Sequence, residues 1–275
     1  MTDASHAGTI LVSTDLSARS DRAVNRAFAL ADQTGRRAIV CHVVSPGAAY
    51  AHNTDKALKL VRAALPDPDA AVEILLPTGA APQTLARVAN ELQPAMVVAG
   101  VARFNSIGDY FLGTAVDHLI RHAQVPVLVV KQRAHRAYGR ILVTTDFSEA
   151  SLKALLKAHE LFPDSTIDLM HAYHVAFDGW RASEYIHDST RAEESSEMEE
   201  FLAAAALPDS LRSRLTTHLE YGDIGTAMMA AVERLDPDLV VMGTHGHGGF
   251  IRATVGSVAS SVLEWIDRDM LLVRD

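Results

Sequence analysis

The sequence predicts an α/β fold of two doubly wound, five-stranded parallel-sheet domains in tandem, and three observations predict it. The 275 residues exceed one ordinary domain of roughly 150 residues and suit two. One pattern is written twice, Gly8-Thr-Ile-Leu-Val-Ser-Thr-Asp15-Leu-Ser17 returning as Gly139-Arg-Ile-Leu-Val-Thr-Thr-Asp146-Phe-Ser148, and such a repeat sets the architecture before any other signal. Within each copy, short apolar runs rich in β-branched residues alternate with longer segments of helical period. The expected domains are residues 1–136 and 137–275, joined by a short linker over Ala134 to Tyr138 and Gly139.

In chain order, strands are expected over Thr9 to Ser13, Ala38 to Val43, Val72 to Leu76, Met96 to Ala99 and Val127 to Val130. The second copy repeats them over Ile141 to Thr144, Ile167 to Ala172, Thr216 to Leu219, Leu239 to Met242 and Met270 to Val273. Between the first two strands, Ala23, Ala27, Leu30 and Ala31 recur at the spacing of one buried helical stripe. Ser17 and Ser148 are the expected N-caps of the first helix of each copy. Strand, helix and strand with short connections imply a parallel sheet covered on both faces, with ligands beyond the carboxyl ends of the strands. The final strands of the two copies could also pair edge to edge and cover exposed backbone groups.

The repeat is not in uniform register. The opening matches at an offset of 131, whereas Gly79, Pro94, Gly100 and Gly113 match Gly222, Pro237, Gly243 and Gly256 at 143, a net insertion of 12 in the second copy. Phe177 to Leu202, with the acidic stretch Glu193 to Glu200, is the expected place. Either a solvated helix is lengthened there by one to three turns, or a helix is added for a partner.

Composition bounds the function. Apolar residues are 48% of the chain, but their runs fall far short of the ~20 residues of a membrane span. Met1 to Gly8 lacks the basic and apolar segments of a secretory signal, and the single cysteine, Cys41, allows no intrachain disulfide, so a cytoplasmic protein is expected. Cys41 itself sits in an apolar strand and reads as core. Residues 1–136 carry 14 Lys+Arg against 11 Asp+Glu and the rest 11 against 23, nets of +3 and −12 within the total of −9. That balance argues against nucleic acid, which needs a clustered basic footprint.

The chemistry lies after the fourth strand of the second copy, in Gly243-Thr-His-Gly246-His-Gly-Gly-Phe-Ile-Arg-Ala-Thr-Val-Gly256-Ser257. Gly243 and Gly246 let the backbone approach a phosphate without an intervening Cβ. Gly256 and Ser257 open the last helix, whose free N–H groups favour an anion, and the Ser257 hydroxyl adds a donor or a magnesium-side ligand. At the end of the first strand, Asp146 offers a carboxylate suited to ribose hydroxyls. In the first copy Arg103 replaces the second glycine between Gly100 and Gly113. That leaves either a degenerate structural site or one for an adenosine-sized ligand or a phosphate paired with Arg103.

These features resemble the ATP-binding branch of the universal stress protein family over nearly the whole chain, twice. The resemblance extends to Thr144-Thr-Asp-Phe-Ser-Glu149 and to His171-Ala172 at the end of the second strand. It implies the adenine nucleotide alpha hydrolase-like fold. By position it implies that Asp146 contacts ribose or adenine, that the Ala172 backbone meets adenine, and that Gly243, Gly246, Gly256, Ser257 and Val258 hold phosphates. Thr145, Met242, His247 and Gly248 complete that site. The implied ligand is ATP, with or without Mg2+, in a sensor or regulator of the stress response having a further protein partner and a homodimer contact that a tandem chain can satisfy internally. The rival readings are a slow ATPase or nucleotidyl-transfer enzyme on the same loop, and an interaction scaffold without nucleotide. No Walker motif, dinucleotide Gly-x-Gly-x-x-Gly or Gly-x-Ser-x-Gly elbow is present. The pairs His245/His247 and His171/His174 lack the three or four convergent ligands of a zinc site.

Overall fold

A computed structural model describes residues 6, 8–101, 103–106, 109–111, 113–174, 184–244 and 257–274. The chain forms two compact units that cut across the repeat: 1–137 together with 251–274, and 138–250.

The first unit begins β1 (Thr9–Ser13), α1 (Asp21–Thr34), β2 (Arg37–Cys41), α2 (Thr54–Ala63), β3 (Glu73–Leu75), α3 (Ala81–Leu92) and β4 (Met96–Gly100). A hairpin of β5 (Arg103–Ser106) and β6 (Asp109–Phe111) follows, then α4 (Gly113–His122) and β7 (Val127–Val130). Five strands run parallel in the order β3-β2-β1-β4-β7. Consecutive residues of β1, β4 and β7 are buried, so both faces of the sheet are covered. Burial of Cys41 within β2 pushes its thiol up to about 12, the mark of an inert core residue.

The second unit holds β8 (Arg140–Thr145), α5 (Glu149–Leu161), β9 (Thr166–Tyr173), α6 (Glu184–Ala204), the short α7 (Asp209–Arg212), β10 (Leu215–Tyr221), α8 (Ile224–Leu235) and β11 (Leu239–Gly243). Its strands are parallel in the order β10-β9-β8-β11. Tyr138, expected in the linker, is instead 1% exposed and meets Phe162 edge-on at 5.6 Å between ring centres. Cα pairings and ring contacts refine the register. His42 and His171 occupy the same place at an offset of 129, so two residues are lost before β9 and the net insertion after it is 14, the gap between 129 and 143. Part of that insertion is α6, which has 21 residues against 10 in α2.

The last helix and strand of the second repeat, α9 (Ser257–Trp265) and β12 (Asp269–Val273), are built into the first unit, where β12 pairs antiparallel with β7. The expected pairing of final strands is thus present, and reciprocal caps secure it. Lys131, just past β7, donates to the carbonyls of Leu263 (2.7 Å) and Ile266 (2.6 Å) at the end of α9. Arg274, just past β12, donates to the carbonyls of Arg121 (2.8 Å) and Ala123 (3.5 Å) at the end of α4. Buried Asp269 accepts from the amides of Lys131 and Gln132, both at 2.8 Å, and from Arg26 Nε at 3.1 Å. Burial lowers the Lys131 ammonium to about 7, against the opposing pull of Asp269 and Asp267.

Candidate functional site

The centre of the candidate site is a tight turn between β8 and α5. Phe147 N–H donates to Thr145 Oγ1 (2.9 Å), which shares a hydrogen bond with Ser151 Oγ (2.8 Å). Asp146 Oδ1 accepts from the amide and the hydroxyl of Ser148. Phe147 is thereby held at φ +61°, a left-handed conformation that costs a bulky residue of order 1–3 kcal/mol and needs this local network to persist. Ser148 caps α5 as expected, accepting from Ser151 N–H at 3.2 Å. The Asp146 side chain stands exposed at the carboxyl end of β8.

The first repeat builds the same turn. Leu16 is at φ +61° and its amide donates to Thr14 Oγ1 (3.1 Å), while Asp15 Oδ1 accepts from Ser17 N–H (2.9 Å) and Ser17 Oγ (2.6 Å). Burial works to raise Asp15, but the hydrogen bonds from Ser17 and Ser20 outweigh it and hold the carboxyl below its usual value. One expectation fails here. Ser17 does not cap α1, which starts only at Asp21 behind Ser20; the Ser17 hydroxyl donates to Asp15 and accepts from Arg19 N–H at 3.3 Å, short of the helix.

Strand β11 runs beside β8, pairing Val241 with Val143, so Gly243 ends level with Thr145. A Cβ on Gly243 would lie 3.1 Å from the Ala150 carbonyl oxygen and 3.2 Å from its carbon. Gly100 is in the same position, its added Cβ 3.0 Å from the Arg19 carbonyl oxygen. The first glycine of the motif therefore has a packing reason in both repeats: the backbone entering the following helix lies against it. Met242 is buried just before, and Ala172, half-buried, is the last residue but one of β9 on the other side of β8. Five predicted positions, Thr145, Asp146, Ala172, Met242 and Gly243, thus meet at the carboxyl ends of three neighbouring strands of the second unit. The strand order reverses between β8 and β11, the place where such sheets bind ligands.

Gly246, His247, Gly248 and Gly256, along with His245, lie outside the described residues. Ser257 opens α9 and Val258 is 41% exposed on it, both within the first unit. Among the described residues no cluster of His, Cys, Asp or Glu could hold a metal ion. The described part of the site offers an exposed carboxylate as acceptor and a half-buried strand end at Ala172.

Sequence reasoning missed what the histidine after the second strand does. In both repeats Nδ1 binds a carbonyl of the first strand, His42 to Thr14 O at 3.0 Å and His171 to Thr145 O at 2.8 Å, so Nδ1 carries a proton. His42 Nε2 then meets the Tyr50 hydroxyl at 3.0 Å. His171 Nε2 meets the Glu194 carboxylate of α6 at 3.2 Å, with Phe147 stacked on the ring at 4.2 Å. The recurrence of His at this place in both copies was the available signal. A second unpredicted cluster joins Asp168 to Arg140 Nε (2.7 Å) and His218 Nε2 (2.7 Å) near the start of β9, at the end of the sheet away from Ala172. Burial raises the Asp168 carboxyl, but these two partners outweigh it and hold it below its usual value.

A parallel sheet whose strand order reverses beside the Asp146 turn defines a doubly wound α/β protein. The universal stress protein family matches residues 7–131 and again 137–274, and the chain belongs to that family, as a tandem member. A universal stress protein of Mycolicibacterium smegmatis is 27% identical across 96% of each chain. Among solved structures, a universal stress protein from Archaeoglobus fulgidus aligns over 98% of each chain at TM-score 0.67 and 17% identity. The functionally unknown protein PA1789 from Pseudomonas aeruginosa aligns over 98% of this chain and 93% of its own, at TM-score 0.67 and 18% identity.

Proposed function

We propose that this universal stress protein binds ATP in its second repeat and acts as a nucleotide-dependent sensor or regulator of the stress response. The observation that carries the proposal is that the two repeats share one strand-end turn but differ in the glycine segment after β4 or β11. Both present an aspartate at the switch point, but only the second is followed by Gly243, two residues, Gly246, nine residues and Gly256-Ser257, uninterrupted by a side chain such as Arg103. Asp146 would take the ribose hydroxyls, Ala172 the base through its backbone, and the loop amides with Ser257 the phosphates, Mg2+ joining at the Ser257 hydroxyl.

Bound ATP supplies free energy by mass action, about 2.7 kcal/mol at a hundred times Kd, so occupancy itself can be the signal. The reading places the protein in the cytoplasm, with an adenine nucleotide and a further protein as partners and no nucleic acid, in keeping with a net charge of −9. No described helix is long and apolar enough to cross a membrane. Pairing of β12 with β7 answers within one chain the contact that a homodimer would make between two.

Mass spectrometry of small molecules released from the denatured protein, with titration calorimetry against ATP and AMP, tests the reading. Stoichiometric ATP retained without turnover is the expected result. Sustained ADP release abolished by Gly256→Ala would replace the sensor with an ATPase, and no nucleotide at millimolar ATP would leave a scaffold.

A further inference from the structure

We infer that α6 is the nucleotide-responsive element of the second repeat, a strap gripped by the two residues that flank the candidate ligand contacts. The inference rests on the proposed ATP site and names its output. Phe147 follows Asp146 in sequence, and His171 precedes Ala172. Those two neighbours reach α6. His171 Nε2 lies 3.2 Å from Glu194 Oε2, and the Phe147 ring, stacked on His171 at 4.2 Å and 25°, meets Phe201 at 5.6 Å.

Glu194 and Phe201, with Met198 between them, are spaced i, i+4 and i+7, a single stripe of the helix. Met198 is the one buried residue among the described side chains of α6; Glu193, Glu197, Glu199 and Glu200 face solvent. A helix so lightly anchored opens at low cost, and the grip on its stripe sets how often.

The grip has a defined chemistry. His171 Nδ1 already donates to the Thr145 carbonyl, which turns Nε2 to the Glu194 carboxylate at 3.2 Å in a half-buried contact. Phe147 completes it from a left-handed backbone conformation held by the hydrogen bond of its amide to Thr145 Oγ1. A ligand that fixes Asp146 and the Ala172 backbone also fixes the two residues holding α6, and opening of α6 loosens both contacts in return.

The first repeat keeps the histidine and its Nδ1 bond but lacks the rest of this device. Leu16 stands where Phe147 does, the second nitrogen of His42 meets a neutral loop hydroxyl on Tyr50, and α2 is less than half as long as α6 and buries Ala57 and Val61 of its own. The insertion in the second copy thus adds its acidic surface at the place where nucleotide occupancy is felt.

Hydrogen exchange read by mass spectrometry on the full chain, with titration calorimetry in parallel, tests this. ATP is expected to slow exchange across residues 188–204 about 5- to 20-fold, within the usual range of coupling between sites, and to leave α2 unchanged. Glu194→Ala should show fast α6 exchange with or without ATP, and by linkage its ATP affinity should fall by the same factor. Phe147→Leu, which installs the first repeat's residue, should do likewise and guards against misfolding of one variant. Wild-type protein that binds ATP with α6 exchange unchanged would overturn the strap and spare the ATP site. Failure to bind ATP at all would overturn both.

Discussion

The turn after β1 and the turn after β8 are built from the same bonds, yet they open onto different surroundings. Each has a Thr hydroxyl accepting from a left-handed residue and an aspartate accepting from the Ser two positions on. Asp15 keeps this arrangement in a repeat whose glycine loop is interrupted by Arg103. The aspartate is therefore a structural member of its turn first, and its presence does not distinguish a working site from a vestigial one. The two differ instead in the segments after β4 and β11, and in the partner of the adjacent histidine.

The largest effects are expected where the two repeats are joined, at the clasp of reciprocal caps that Lys131, Asp269 and Arg274 form within the first unit. Asp269→Ala leaves the Arg26 guanidinium buried without its carboxylate and should cost about 3–5 kcal/mol in urea unfolding. The clasp also has a pH signature. Lys131 is near 7 in the folded protein and near 10.5 when unfolded, so below about pH 7 it is charged in both states and its burial cost is fully present. Between about 7 and 10.5 the unfolded chain holds the extra proton, and stability should rise with pH. Lys131→Met should flatten that slope; an unchanged slope would assign it to another group.

Next in size, Asp146→Ala and Asp15→Ala separate the shared role from the proposed one. Both should lose similar stability, but only Asp146→Ala should weaken ATP, by about 10- to 100-fold, the worth of a hydrogen bond to a charged group at ~1.5–3 kcal/mol. Equal loss of ATP affinity in the two would erase the distinction between the repeats. Smallest and most symmetrical are Gly243→Ala and Gly100→Ala, each pressing a Cβ onto a backbone carbonyl and each costing about 1–3 kcal/mol in thermal unfolding. If only Gly100→Ala destabilises, packing is not the reason for Gly243.

Much of the architecture was legible because parallel strands buried on both faces leave unbroken, valine-rich apolar runs, as at Val127–Val130 and Leu239–Gly243. The start of α1 was not, because Ser17 matches Ser148 in sequence and in its bond to the aspartate, but accepts from Arg19 N–H and leaves the helix to begin behind Ser20. Nor was the β5–β6 hairpin, whose polar segment read only as a damaged glycine loop. That β12 joins β7 was open to sequence as edge pairing, but period and composition do not say that α9 would travel with it into the first unit. In the site, positions on strand ends were readable from the repeat. Glu194 was not, since an acidic helix reads as solvated until a histidine on another element is found facing it.

Strand β12 has a consequence for how the molecule is made. Asp269, which ties Lys131 and Arg26 together, is 138 residues downstream of Lys131. At a ribosomal rate of ~5–20 residues per second, the first unit waits on the order of 10 seconds for the piece that completes it. Throughout that interval the outer backbone of β7 has no partner from its own chain, and neighbouring nascent chains on one message offer identical edges. Faithful assembly is then a race between the emerging C-terminus and the next polypeptide in line.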